Sequence, residues 1–296
     1  MGGDGSAGAS EGPGGVLFVA NLRSSDVTLV DVASATVIGR WETPGNPHEF
    51  AYDGDRIFWS NYRSRQISTL WRAGGGPAVT QPAGGPRAHG LAVDGAGVLW
   101  WTTADGYLRS SGGAAIRVGA TPHAVAIDAA TGRAYVAEAG DGAIAVVDLE
   151  TERVRDRAPA GALAESIALD ASGTRVVVAA ADAGRVTLFA AESLEERWRV
   201  ALTGRPVRVV IAGERVLVSL ALSGELAVLN LADGALIARV AVGRLPDGIA
   251  TDGSGRYAFV ATAGDGAVTI VEVARGTVVG ALPAGEGPSG LLWRPR

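Results

Sequence analysis

One phrase recurs seven times along this chain, and it constrains the fold more than any other feature. It reads P-x-x-Ω-A-Ω-D with variations, where Ω is apolar and Ala twice replaces Pro. The copies begin at Pro47, Ala88, Pro122, Ala164, Pro206, Pro246 and Pro288, at steps of 41, 34, 42, 42, 40 and 42 residues. A period near 40 residues with β-type patterning indicates propeller blades of four strands each. The unit from Pro122 shows the four: "HAVAID", "AYVAEA", "AIAVVDLE" and "TERVRDRAPAG". These segments are short, rich in Val, Ala and Ile, and separated by Gly, Asp and Ser turns. No convincing helical period of ten or more residues interrupts them.

The two ends complete the pattern. The first strand, "VLFVAN" at 16–21, matches the second strand of the unit, so an inner strand is missing there. The chain finishes on an unpartnered inner strand, "PSGLLWRPR" at 288–296. The expected fold is therefore all-β: a seven-bladed β-propeller with four antiparallel strands per blade. The C-terminal strand completes the N-terminal blade and removes the open edge that would invite aggregation. The propeller should occupy 16–296 as one domain, preceded by a flexible tail over 1–15.

Composition narrows the partners. The net charge is −5 with no basic block, which argues against nucleic acid. No apolar run reaches transmembrane length. The chain lacks cysteine, so thiolate metal sites and Cys nucleophiles are excluded. A cysteine-free chain suits either redox compartment. The first fifteen residues carry no signal-peptide pattern, so the sequence as written reads as cytoplasmic. A periplasmic or secreted protein whose signal had been removed would look the same. Oligomeric state is not legible.

Three segments carry a family resemblance: "LFVANLRSSDVTLVDVASATVIGRW", "AYVAEAGDGAIAVVDLETERV" and "AFVATAGDGAVTIVEVARGTVVGALPAGEGPSGL". They resemble YVTN-type β-propeller repeats, and the resemblance covers nearly the whole chain from Val16. The segment "VLWWTTADGYLR" at 98–109 is more similar to the repeats of virginiamycin B lyase-like propellers. The first resemblance implies the fold. The second implies a lyase that uses His and Glu with a divalent metal at the channel.

The chain has only three histidines, His48, His89 and His123, and all stand one residue after the start of the phrase. In a propeller that position lies at the mouth of the central channel. Around the ring it reads His48, His89, His123, Glu165, Val207, Asp247 and Ser289. Three neutral imidazoles and a carboxylate suit zinc or another borderline divalent ion. His48, His89, His123 and Glu165 are thus candidate ligands for Zn, Mg, Mn or Fe. His123 with Glu138, at the end of the neighbouring strand, is the candidate metal-free acid–base pair. On the same face Asn61, Tyr62, Arg63, Arg65, Arg205, Arg208 and Asp247 are candidate ligand-binding residues. Two functions fit. One is a binding module whose channel face holds a small ligand, a metal or a protein or peptide partner. The other is a metal-dependent lyase or hydrolase of the lyase-like or lactonase-like kind. Duplication alone would also repeat a histidine at one phase, with each ring tying down its own turn.

Overall fold

Short segments rich in Val, Leu, Ile and Ala, most of them six or seven residues long and bounded by turns, form the strands. The computed structural model describes residues 12–71 and 79–296. Their strands form seven four-stranded antiparallel sheets, with no helix among the described residues. Blade 1 is the composite one. Pro288–Arg294 pairs with Val16–Asn21, so the last strand becomes the inner strand of the first blade. Blades 2 to 7 follow in order, with inner strands Pro47–Asp53, Leu91–Val93, Pro122–Asp128, Ala164–Leu169, Pro206–Ala212 and Pro246–Thr251. The short step in the sequence falls on blade 3, whose outer strand is only Ala115–Arg117. The predicted tail falls mainly on residues outside those described. Its end, Gly14, accepts a hydrogen bond from Trp293 Nε1 at 2.8 Å.

The core lies between blades. Between blades 5 and 6, for example, Val177, Leu188, Trp198, Val216 and Leu229 pack as one buried cluster. The turns that leave the inner strands are held by aspartates. Asp94, Asp170 and Asp252 each accept backbone N–H groups from the turn that follows. No helix of the described residues is long and apolar enough to cross a membrane.

Two local features aim side chains into the channel. The residue just before each inner phrase is left-handed: Asn46, Arg87, Thr121, Leu163, Arg205, Leu245 and Gly287, with φ between 48° and 64°. Six of the seven are not glycine, at a cost of roughly 1 kcal/mol each. The inner strand then slips register against its neighbour, as between Pro47 and Phe50 and between Pro122 and Val125. Such a bulge turns the residues within it out of the sheet's alternation. Those residues include His48, Glu49 and His123. The strands are also crowded here. A Cβ on Gly248 or Gly290 would run into the backbone of the next inner strand, so only glycine fits.

Candidate functional site

The three imidazoles meet. Ring centroids lie 4.2 Å apart for His48 and His89, 3.4 Å for His89 and His123, and 6.5 Å for His48 and His123. His123 Nδ1 lies 2.6 Å from the Glu165 carbonyl oxygen. With the Nδ1–H donating there, Nε2 is left as a free electron pair. His89 is buried, and its Nδ1 has no hydrogen-bond partner among the described residues. His48 Nδ1 lies 3.2 Å from Glu49 Oε1. One nitrogen from each of His48 and His89 and one Glu49 oxygen lie within 4.8 Å of one another. Burial and then the neighbouring His123, His48 and Arg208 push His89 well below the ordinary imidazole range. Burial, Arg208 and His48 push His123 down to about 3, against Glu49 and the Glu165 carbonyl. Both rings are neutral at pH 7, as ligands must be.

Beside the imidazoles a charged bar crosses the channel. Glu49 of blade 2 pairs with Arg208 of blade 6. Arg208 Nε also donates to Asp247 Oδ1 at 3.1 Å, and Ser289 Oγ donates to Asp247 Oδ2 at 2.7 Å. The bar therefore joins four blades. Burial would raise the Glu49 carboxyl, but Arg208, assisted by His48 and His123, holds it down to about 2. Burial opposes the Arg208 charge as well, and Glu49, Asp247 and Glu165 restore it. On the histidine side lies a cavity of about 250 Å³ lined by His48, His123, Glu165, Arg205, Arg208 and Asp247. On the other side Glu49 and Arg208 border a second cavity of about 190 Å³.

The remaining candidates separate. Glu165 meets His123 through its backbone, while its carboxyl lines the cavity and is raised by burial against the pull of Arg205 and Arg208. Tyr62 joins the cluster, with its ring 5.9 Å from His48 and 5.7 Å from His89. Arg205 lines the cavity and reaches Asp182 at 3.5 Å. Asn61 is fully buried and donates to Ser68 Oγ at 2.9 Å, inside its own blade. Arg63 and Arg65 are exposed on the loop after Asn61.

Glu138 does not pair with His123. It turns outward to Arg157 of the outer strand, at 3.3 Å, with no exposed surface of its own. Its place is set by the end of the second strand, where the chain has already moved away from the channel. Burial pushes its carboxyl up to about 7, with Arg157 opposing and Asp141 assisting. The folded chain thus holds a proton that the unfolded chain loses near pH 4.5, and stability falls as pH rises from about 4.5 to 7. Glu138→Gln should add about 3 kcal/mol at pH 8 and nothing at pH 4. Urea unfolding at the two pH values checks this, and an equal effect at both would refute it.

Glu49 was not among the candidates read from the sequence. One signal could have found it. Two residues after the start of each phrase the ring reads Glu49, Gly90, Ala124, Ser166, Arg208, Gly248 and Gly290, with one acid and one base among small residues.

The chain is a seven-bladed β-propeller. The crystal structure of a functionally unknown protein from Desulfotomaculum acetoxidans DSM 771 matches it with TM-score 0.80 at 12% identity, covering 95% of this chain and 100% of that one. At that identity the likeness is one of fold, and propellers host many functions. No family model and no curated protein matches the sequence.

Proposed function

We propose that this propeller is a binding module that holds one divalent transition-metal ion at the channel mouth, through His48, His89 and His123. The observation that carries the proposal is the buried Nδ1 of His89, unpartnered among the described residues and wedged between the rings of His48 and His123. A buried polar atom left unpaired costs about 1–3 kcal/mol, which a ligand would relieve. The His123 contact with the Glu165 carbonyl is the kind of outer hydrogen bond that orients a metal-ligating ring. In a tetrahedral site two ligand atoms about 2.1 Å from the ion lie about 3.4 Å apart, so the His48, His89 and Glu49 donors, within 4.8 Å of one another, need only a small closure, and His123 joins them through its ring contact with His89. Glu49 is the nearest carboxylate, and Arg208 competes with an ion for it. The three nitrogens are therefore assigned as the ligands, which favours zinc and its borderline neighbours over magnesium. The cavity bordered by His48 and His123 then receives a small ligand.

The test is metal content and thermal unfolding of untagged protein. Wild type should take up about one equivalent of zinc and gain about 2.7 kcal/mol at a hundredfold excess over Kd. His89→Ala should gain nothing. Wild type without stoichiometric metal, and without a shift on adding Zn, Mn, Mg or Fe, would end the proposal.

One observation favours a lyase or hydrolase as a second reading. The Glu165 carboxyl, raised by burial against Arg205 and Arg208, lines the same cavity, where it would be the group placed for acid–base work. A bound ion would supply Lewis acidity toward a carbonyl or a water. A screen of esters and lactones with metal-loaded protein decides it. Turnover no faster than in metal-free protein leaves binding alone.

A further inference from the structure

The seam between blades 1 and 2 carries an aromatic residue at an outer-strand position where the other blades carry none. On the outer strand, one register position faces the second residue of the third strand in each blade. Ala158, Val200, Val240 and Leu282 occupy it in blades 4 to 7, opposite Ile144, Val186, Leu226 and Val268. Val240 and Leu282 are buried there, and the other two pack against their cores. In blade 1 the residue is Trp41, opposite Val27. The indole lies nearly parallel to the Phe18 ring, at 10° with centroids 6.2 Å apart. A cavity of about 220 Å³ opens beside them, walled by Val16, Phe18, Leu29, Trp41, Ile57 and Leu70. An apolar cavity of about 150 Å³ already accepts benzene.

The mouth of this cavity is cationic. Arg294 and Arg296 border it. Arg296 is paired with Asp31. Arg294 lies over the Tyr52 ring at 4.0 Å, with one long contact to the Gly54 carbonyl at 3.4 Å. Its Nε is buried and has no acceptor among the described residues. An apolar cavity thus has at its mouth a guanidinium stacked on an aromatic ring, with one donor unused among the described residues. Stacking rewards a planar ring in such a chamber, and an unused guanidinium donor rewards an anionic oxygen at its mouth.

We infer that the seam between blades 1 and 2 is a second ligand site, separate from the channel, for a planar aromatic molecule bearing one carboxylate or similar anion. The apolar walls take the ring, and Arg294 takes the charge. None of its lining residues lines the channel cavities, so the site stands whether or not the channel holds a metal.

Calorimetric titration with 2-naphthoate and with neutral 2-naphthamide tests it. The naphthoate should bind one per chain with Kd below ~1 mM, and the amide about tenfold more weakly or worse. Trp41→Leu installs the residue that blade 7 carries at this position, so it should fold. It should weaken naphthoate binding at least about tenfold while circular dichroism still shows a cooperatively folded chain. Arg294→Gln should bring the naphthoate down to the level of the amide. Absence of binding by wild type, or undiminished binding by folded Trp41→Leu, would overturn the site. Equal affinity for acid and amide in wild type would overturn its anionic half.

Discussion

Deleting residues 288–296 should leave the chain without a cooperative fold, whereas deleting residues 1–11 should move the unfolding midpoint by less than about 2 °C. The deleted segment is the inner strand of blade 1, in register with Val16–Asn21 from Val16↔Arg294 to Asn21↔Pro288. Its loss uncovers the edge of a strand whose residues are nearly all buried. It also strips Leu291 and Trp293 from the core between blades 7 and 1. Ser289 leaves the channel with it, taking away the hydrogen bond that orients Asp247. The gap runs the full height of the ring, and an open edge of this kind pairs with other chains. The loss is comparable with the whole 5–15 kcal/mol that stabilises a typical domain. Size exclusion and thermal circular dichroism would read it. A truncated monomer melting within about 5 °C of wild type would show that the closure contributes little.

Arg208→Met should cost about 3–5 kcal/mol at pH 7, the usual loss when one partner of a buried ion pair is removed. The reason is Glu49, which would remain charged and buried opposite an apolar chain. The pH dependence identifies the cause. In wild type the Glu49 carboxyl sits near 2 when folded, against 4.5 for a free side chain. Its stabilising effect is complete above about pH 4.5 and disappears as pH falls toward 2. In Arg208→Met the sign reverses, because burial now raises the carboxyl. The variant should recover stability on acidification from pH 7 to 5, where wild type stays level with respect to this group. Adding Glu49→Gln should restore part of the loss, since the buried Glu49 charge is gone and only the partly exposed Asp247 still lacks its cation. Urea unfolding of the single and double variants at three pH values measures each step. An Arg208→Met protein within about 1 kcal/mol of wild type at pH 7 would show that the bar contributes little.

The bar also bears on metal binding. Glu49 lies between His48 and Arg208, so an ion that recruited the carboxylate would have to draw it from the guanidinium. Arg208 also helps to keep His89 and His123 unprotonated. One cation thus prepares the imidazoles and limits the charge that can be placed beside them.

The blade count, the four strands per blade and the closing strand were legible in the sequence, because they follow from local alternation, turn chemistry and a period near 40 residues. The shared phase of His48, His89 and His123 was legible for the same reason. Their meeting was not. It depends on a left-handed entry residue and a register slip in the inner strands, and on ring curvature that brings adjacent strands together. Neither the slip nor the curvature has a residue code that one strand can display. Glu138 shows the opposite case. Its register against Pro122 was readable, but its side chain went outward to Arg157 because the second strand has already left the channel. Glu49 and Arg208 are 159 residues apart, and only the closed ring sets them face to face. Sequence by itself determined which residues could reach the channel, since strand period and turn phase are local properties. The tertiary structure alone decided which of them touch, since contact across a channel depends on the width, tilt and closure of all seven blades together.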